Sequence, residues 1–251
     1  MECWIEHPQE PKELLLDWQA PVDVPDRLRW AVGRLHCHAD SSSFAYLDGK
    51  EFQALNLGRL EGQLRACGFT GYPAFDRKRR PEAGVWNDAL QTFLRRVPPR
   101  RRPDFGAYLE HHLVRADTPL SPMALLAVTE ARLPSDGFSM IDPLDPSAMA
   151  VDFAFEIAGF RHAAQRLAPL QEGQTLTLIP EPTNRWDPSA IEVMADDIRI
   201  GYVNRLQATT ILQWLSSRHL QCCIARLKSQ KDTPRAYALA RVRHLPSVMA
   251  V

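Results

Sequence analysis

The sequence predicts an α+β protein in two parts: a mixed hairpin-plus-helices module, then a small β-barrel carrying one inserted helix. Three observations predict it. Residues 27–145 pass from strand-like alternation to helical spacing. Residues 142–149, DPLDPSAM, form a proline-bearing connector of the kind that separates domains. Beyond it lie short strand-like runs interrupted by a single amphipathic stretch. A chain of 251 residues is long enough for two such domains.

Residues 1–26 are rich in proline and acid and are expected to form an extended acidic arm over the surface. In RLRWAVGRL, residues 27–35, Leu28, Trp30 and Val32 alternate as a half-buried strand does. The polar stretch ADSSS turns the chain into a second strand, Phe44 to Leu47. From Glu51 to Cys67, Phe52, Leu55, Leu60 and Leu64 recur at roughly helical spacing, and Gly68 suits the position after a helix end. A second helix fits Trp86 to Val97, stopped by Pro98-Pro99. A third starts near Pro103, and a fourth at Ser121-Pro122. After the connector, FAFEIAGF, TLTLIP, AIEVMA, IRIGYV, LQCCIARL and RAYALARVR read as strands. The helix Arg205 to Arg218 interrupts them, with Leu206, Ile211, Leu212 and Leu215 as its apolar positions. Short strands with one inserted helix suggest a barrel of OB-like or SH3-like type over residues 151–251.

Hydrophobic residues make up 45% and charged residues 24%, the balance of a soluble globular chain. No apolar run approaches the ~20 residues of a membrane span. The acidic N-terminus lacks signal-peptide character, and five cysteines form no framework, so a cytoplasmic protein with reduced thiols is expected. Net charge is zero but unevenly spread. Residues 1–26 hold seven acids and one base, whereas residues 76–102 hold nine bases and three acids. Arg77 to Arg80, Arg95-Arg96 and Arg100-Arg101-Arg102 could therefore contact a nucleic-acid backbone, or form a solvated face or a dock for the acidic arm.

Three stretches of the C-terminal part carry chemistry: Ala158-Gly159-Phe160-Arg161-His162, Pro180 to Ile191 (PEPTNRWDPSAI), and Ile200-Gly201-Tyr202-Val203-Asn204-Arg205. Their order and wording resemble the HIRAN domain over roughly residues 151–245. That family shows a G-x-R-Y stretch, an R-E/D-P-x-N-P-Y-D-x-N-A-I loop and a G-Y/H-V/I-P-R/K strand-to-helix turn. The resemblance implies a modified OB-like barrel that grips single-stranded DNA at its 3′ end. It puts Trp186 on the terminal base, Asp187 on the 3′-hydroxyl and Arg161 on the backbone, with His162 and Tyr202 lining the pocket and Asn184, Arg185 and Arg205 completing the binding set. Residue chemistry agrees. An aromatic face is worth ~1–3 kcal/mol per stacked base, a guanidinium fork suits phosphate oxygens, and a carboxylate accepts a hydroxyl but repels phosphate. The sequence departs from the family in His162-Ala163, where two aromatics are common, and in Arg185, where proline is common. Other readings of the same residues are open: Trp186 as a core anchor, Asp187 as a turn cap, Arg161 paired with Glu156 or Glu181, and Tyr202 as packing.

Residues 27–145 loosely resemble the small N-terminal domain of HipA proteins, through GFTGYPAFDRKRR, NDALQTFLRRVPPRRRPDF and the stretch from Met123 to Pro143. The resemblance implies a bacterial protein, and a module that engages a protein partner. No kinase loop is present, and neither GxxxxGK[ST] nor GxGxxG occurs. His36-Cys37-His38 supplies two ligands on one strand face where zinc wants about four. No metal, cofactor or enzymatic activity is therefore expected. The expected function is recognition of single-stranded DNA or 3′-OH ends in DNA repair, replication stress or defence. The alternative is a protein-interaction or antitoxin-like regulator, and a metal-dependent nuclease is a third, weaker option.

Overall fold

The structure is a computed structural model and describes residues 3–21, 24, 29–38, 41–79, 81–133, 135–164, 169–228 and 234–244. The expectations for Arg27, Leu28, Ala39, Asp40, Arg80, Asp23 and Asp26 lie outside the described residues. The chain divides into two units. One holds residues 10–105 and 119–143, the other residues 1–9, 106–118 and 144–251.

The first unit is built on a five-stranded sheet of order β4-β3-β2-β1-β5. Within it, β1 (Glu13–Gln19) is an inner strand, paired antiparallel with β2 (Arg29–His38) on one side and the edge strand β5 (Phe138–Ile141) on the other. The acidic-arm expectation is wrong here. Leu14, Leu15 and Leu16 are at most 1% exposed, the unbroken apolar run of a strand covered on both faces. Its one acid in that run, Asp17, is buried and accepts from Arg29 at 2.8 Å. Strand β2 turns into β3 (Ser41–Tyr46) as a hairpin, but Ser41 to Ser43 belong to the strand rather than to a turn.

Two expected helices are broken. The stretch 51–67 forms α1 (Gly49–Leu55) and α2 (Glu61–Ala66). Between them the buried Asn56 side chain bonds both the amide and the carbonyl of Ala31, and Leu57 and Gly58 take positive φ. A side chain that substitutes for a strand partner pins the chain where a helix would have run on. The stretch 86–97 begins as β4 (Val85–Asn87) on the edge of β3 and becomes helical only at α3 (Leu90–Leu94). Ser42 fixes the switch: its carbonyl takes the Asp88 amide and its hydroxyl takes the Leu90 amide. The other two helices form as expected, α4 at Phe105–His111 and α5 at Pro122–Thr129. The Ser121 hydroxyl caps α5 by accepting from the Ala124 amide at 3.0 Å.

The second unit carries a six-stranded antiparallel sheet of order β6-β11-β10-β7-β8-β9. The strands are β6 (Ala150–Glu156), β7 (Thr175–Pro180), β8 (Ile191–Ala195), β9 (Ile198–Tyr202), β10 (Arg218–Lys228) and β11 (Arg235–His244). The two ends of this order meet. Just past β6, Ala158 exchanges backbone hydrogen bonds of 2.8 and 2.9 Å with Tyr202 of β9, which curls the sheet into a small barrel. Gly201 makes that closure possible: a Cβ there would stand 2.4 Å from the Ala158 carbonyl oxygen. The run expected as one strand from Phe153 to Phe160 ends at Glu156, and a four-residue helix, α6 (Phe160–Ala163), follows Gly159 at φ 78°.

The barrel interior is filled by Phe153, Phe155, Val193, Ile200, Ile224 and Ala238, among others, and helix α7 (Arg205–Ser217) lies against it. Of the apolar positions expected, Ile211 is buried, with Ala208 and Trp214 beside it, whereas Leu212 and Leu215 are only half-buried. Trp214 is sealed at 0% exposure, and its indole N–H donates to the Pro146 carbonyl at 3.2 Å. The connector residue Pro146 thereby anchors the helix.

Residues 4–7 belong to this unit as well. Ile5 is buried, its amide donating to the Leu113 carbonyl at 2.7 Å. The Glu6 and His7 amides donate to the Asp152 carboxylate at 2.9 and 3.1 Å. Arg243 pairs with the other Asp152 oxygen at 2.6 Å. Burial alone would raise the Asp152 carboxyl, but the bonds from Arg243 and the two amides outweigh it and hold it below the usual carboxylate range. Among the described residues, no helix is long and apolar enough to cross a membrane.

Candidate functional site

The three sequence stretches meet around Tyr202. Its backbone pairs with Ala158, which brings Gly159 to His162 to the rim. In β9 it lies opposite Glu192 of β8. Its hydroxyl donates to Glu181 at 3.1 Å, which ties in the β7–β8 loop. Two residues on, Asn204 caps α7 by accepting from the Leu206 amide at 3.0 Å, and so sets Arg205 at the helix start.

The loop 181–190 is a built turn. The Asn184 side-chain oxygen accepts from the amides of Trp186 and Asp187 at 2.9 and 3.1 Å, and its amide nitrogen donates to Glu181 at 2.7 Å. Asp187 repeats the motif by accepting from the Ser189 amide at 2.8 Å. Side chains that mimic backbone partners fix a loop without regular structure. Asn184 is therefore occupied with the turn. The hydrogen bond from Asn184, seconded by Tyr202, holds the Glu181 carboxyl below its ordinary value. Burial and Glu181 together push the Tyr202 phenol up. Both groups stay in their ordinary charge states at neutral pH, so the Tyr202–Glu181 tie persists there.

On this fixed loop, Trp186 projects into solvent at 72% exposure, the highest among the exposed large hydrophobics. That removes the core-anchor reading. The Arg185 guanidinium lies over the indole, 4.4 Å from the ring centroid, a cation–π arrangement that covers one face. The turn-cap reading of Asp187 holds for one of its oxygens. Arg161 and His162 are exposed on α6, joined by a 3.2 Å contact between Nε of Arg161 and Nε2 of His162. Arg161 does not pair with either expected acid: Glu181 takes Asn184 and Tyr202, and Glu156 pairs with Arg235 at 3.7 Å. No direct contact joins Arg161 to Asp187 among the described residues. Tyr202 is half-buried, its ring carrying the Arg199 guanidinium at 5.1 Å, while Arg199 also binds Glu192 at 2.6 Å. Arg199 is a cation of this rim that sequence reasoning passed over. The register Met194↔Arg199 beside Glu192↔Tyr202 follows a bulge that no sequence pattern announced.

Residues 151–242 match the family model described as the HIRAN domain. That stretch is a HIRAN domain. Among solved structures, the HIRAN domain of human HLTF is 12% identical, covering 38% of this chain and 80% of its own, with a TM-score of 0.31. A protein from Lactobacillus plantarum is 25% identical, covering 38% of this chain and 96% of its own, also at a TM-score of 0.31. No curated protein matches the chain.

The basic run lies in the other unit and is largely spent locally. Arg100 donates to the Leu120 carbonyl at 2.5 Å, and Arg102 pairs with Asp104. Arg96 is buried, bonding Asp136 through both terminal nitrogens and the carbonyls of Ala131 and Phe138. Among the described residues no group of three or more His, Cys, Asp or Glu could hold a metal ion. His36 and His38 do share a strand face, with rings 6.5 Å apart.

Proposed function

We propose that the HIRAN barrel of this chain binds single-stranded nucleic acid at a free 3′ end, and that the protein acts by binding rather than by catalysis. HIRAN is known as a DNA-binding module, and one observation carries the reading here. Trp186 stands 72% exposed on a loop rigidified by Asn184 and Asp187. An indole left in water costs apolar area that packing would have recovered; a base stacked on it recovers that area, worth ~1–3 kcal/mol. With Arg185 on one face, the other face receives the base. The second Asp187 oxygen accepts the terminal hydroxyl. Arg161, Arg185 and Arg205 face phosphates, with His162 and Tyr202 at the pocket wall.

The carboxylates make the polarity of the end testable. A 3′-phosphate would put two like charges together, whereas a 3′-hydroxyl donates to Asp187. Titration of labelled oligonucleotides should rank 3′-OH above 3′-phosphate and above a blocked end. Equal affinity for all three defeats the end-binding reading, and no binding at all defeats the nucleic-acid reading. Such a protein would serve where free ends arise, in repair, stalled replication or defence.

The unit of residues 10–105 and 119–143 is proposed to meet a protein partner, as the HipA resemblance suggested. The observation favouring this is the pair Leu57 and Leu60, 43% and 56% exposed on the α1–α2 connection. Loss of a co-purifying partner in the double variant Leu57→Ser, Leu60→Ser would support it; retention would defeat it.

A further inference from the structure

We propose that Cys3 and Cys223 form an oxidant-driven disulfide that clamps the N-terminal segment onto the HIRAN barrel. Their sulfurs lie 3.9 Å apart, in van der Waals contact, although 220 positions separate them in the chain. The adjacent cysteines of β10 point to opposite faces, as strand neighbours must. Cys222 is part of the barrel interior, whereas Cys223 is outside that cluster and meets Cys3. Only one of the pair is therefore available.

The contact is held rather than incidental. Next to Cys3, the Trp4 carbonyl accepts from Arg241 at 3.2 Å, and the Arg115 guanidinium lies 5.3 Å from the Trp4 ring centre. Ile5, Glu6 and His7 are then tied to Leu113 and Asp152 through their amides, and the His7 carbonyl takes the Asp152 amide at 2.8 Å. A thiol at the end of so constrained a segment meets its neighbour as an intramolecular reactant. A disulfide needs sulfurs about 2.05 Å apart, so roughly 2 Å of approach remains, which side-chain rotation and a small backbone shift at the half-exposed Cys3 can supply.

Exposure sets the order of events. Cys3 is half-exposed and meets hydrogen peroxide first, while Cys223 is 4% exposed. The Cys3 sulfur attacks one peroxide oxygen; the O–O bond breaks, leaving a sulfenic acid and one water. The Cys223 sulfur then attacks the Cys3 sulfur; the S–O bond breaks, the S–S bond forms, and the Cys223 proton leaves with the hydroxyl as a second water. Two thiols lose two electrons and one peroxide gains them. Burial, with Cys3 beside it, pushes the Cys223 thiol up to about 11, so the second step speeds up with rising pH.

The test treats the purified full chain with one equivalent of hydrogen peroxide and maps its peptides without reductant. A linked pair containing Cys3 should appear in the wild type and in Cys222→Ser, and vanish in Cys3→Ser, in Cys223→Ser and after dithiothreitol. The oxidised wild type should melt about 5 °C higher than the reduced form, and Cys3→Ser, which alters a half-exposed residue, should show no such rise. Cys3 appearing as sulfinic acid or linked to a second chain, the linked pair persisting in Cys223→Ser, or an unchanged melting temperature would overturn the clamp.

Discussion

Trp214 and Trp186 belong to the same barrel unit and are opposites. The first is sealed on α7, its N–H spent on a connector carbonyl. The second stands in solvent, its ring carrying the Arg185 guanidinium. The difference teaches how to separate packing from recognition. A residue whose apolar surface and polar atom are both satisfied inside the fold is there for the fold. One held rigidly by its backbone while its ring stays in solvent is, in the proposed function, there for recognition.

That contrast can be broken experimentally, beginning where the effect is greatest. Trp214→Ala should lower stability by about 3–5 kcal/mol, because the void cannot collapse; denaturant unfolding checks it, and the folded fraction should still bind oligonucleotide. Asp152→Ala comes next, at about 3 kcal/mol, because it strands Arg243 and two amides. The same carboxylate gives a pH signature. Its folded value is depressed from 3.8, so its contribution is complete above that pH and is lost as the pH falls toward the folded value. The wild type should therefore lose its advantage over Asp152→Ala only below about pH 4, as melting curves across acid pH would report.

Trp186→Ala reverses the balance. Stability should move by less than about 0.5 kcal/mol, while affinity for single strands drops by about 1–3 kcal/mol. A large fall in melting temperature with unchanged binding would put Trp186 in the same class as Trp214. Arg185→Ala sharpens the point by lowering the slope of log affinity against log salt by about one. Alanine at Arg100, Arg101 and Arg102 together should change that slope by less than one, since Arg100 and Arg102 already have partners.

Much of the barrel is legible in the sequence, because its strands are short, alternating and bounded by turn residues. The rim loop was legible for a different reason: PEPTNRWDPSAI carries turn-forming side chains whose bonds are local. Strand β1 was misread because its flanking prolines and acids outweighed the run Leu14 to Leu16 in a compositional reading. The two broken helices failed for another reason. Asn56 and Ser42 reach residues 25 and 48 positions away, and no local period announces such partners.

By itself the sequence determined the α+β class and the succession of short strands, broken by one helix, that builds the barrel. These depend on period, turn chemistry and residue type, which neighbouring residues specify. Tertiary structure alone decided that residues 4–7 belong to the barrel unit, that Trp214 rather than Leu212 or Leu215 is the buried anchor of α7, and that Tyr202 ties three distant stretches together. Those outcomes rest on contacts between residues far apart in the chain, where burial and hydrogen bonding are settled only once the sheet has closed.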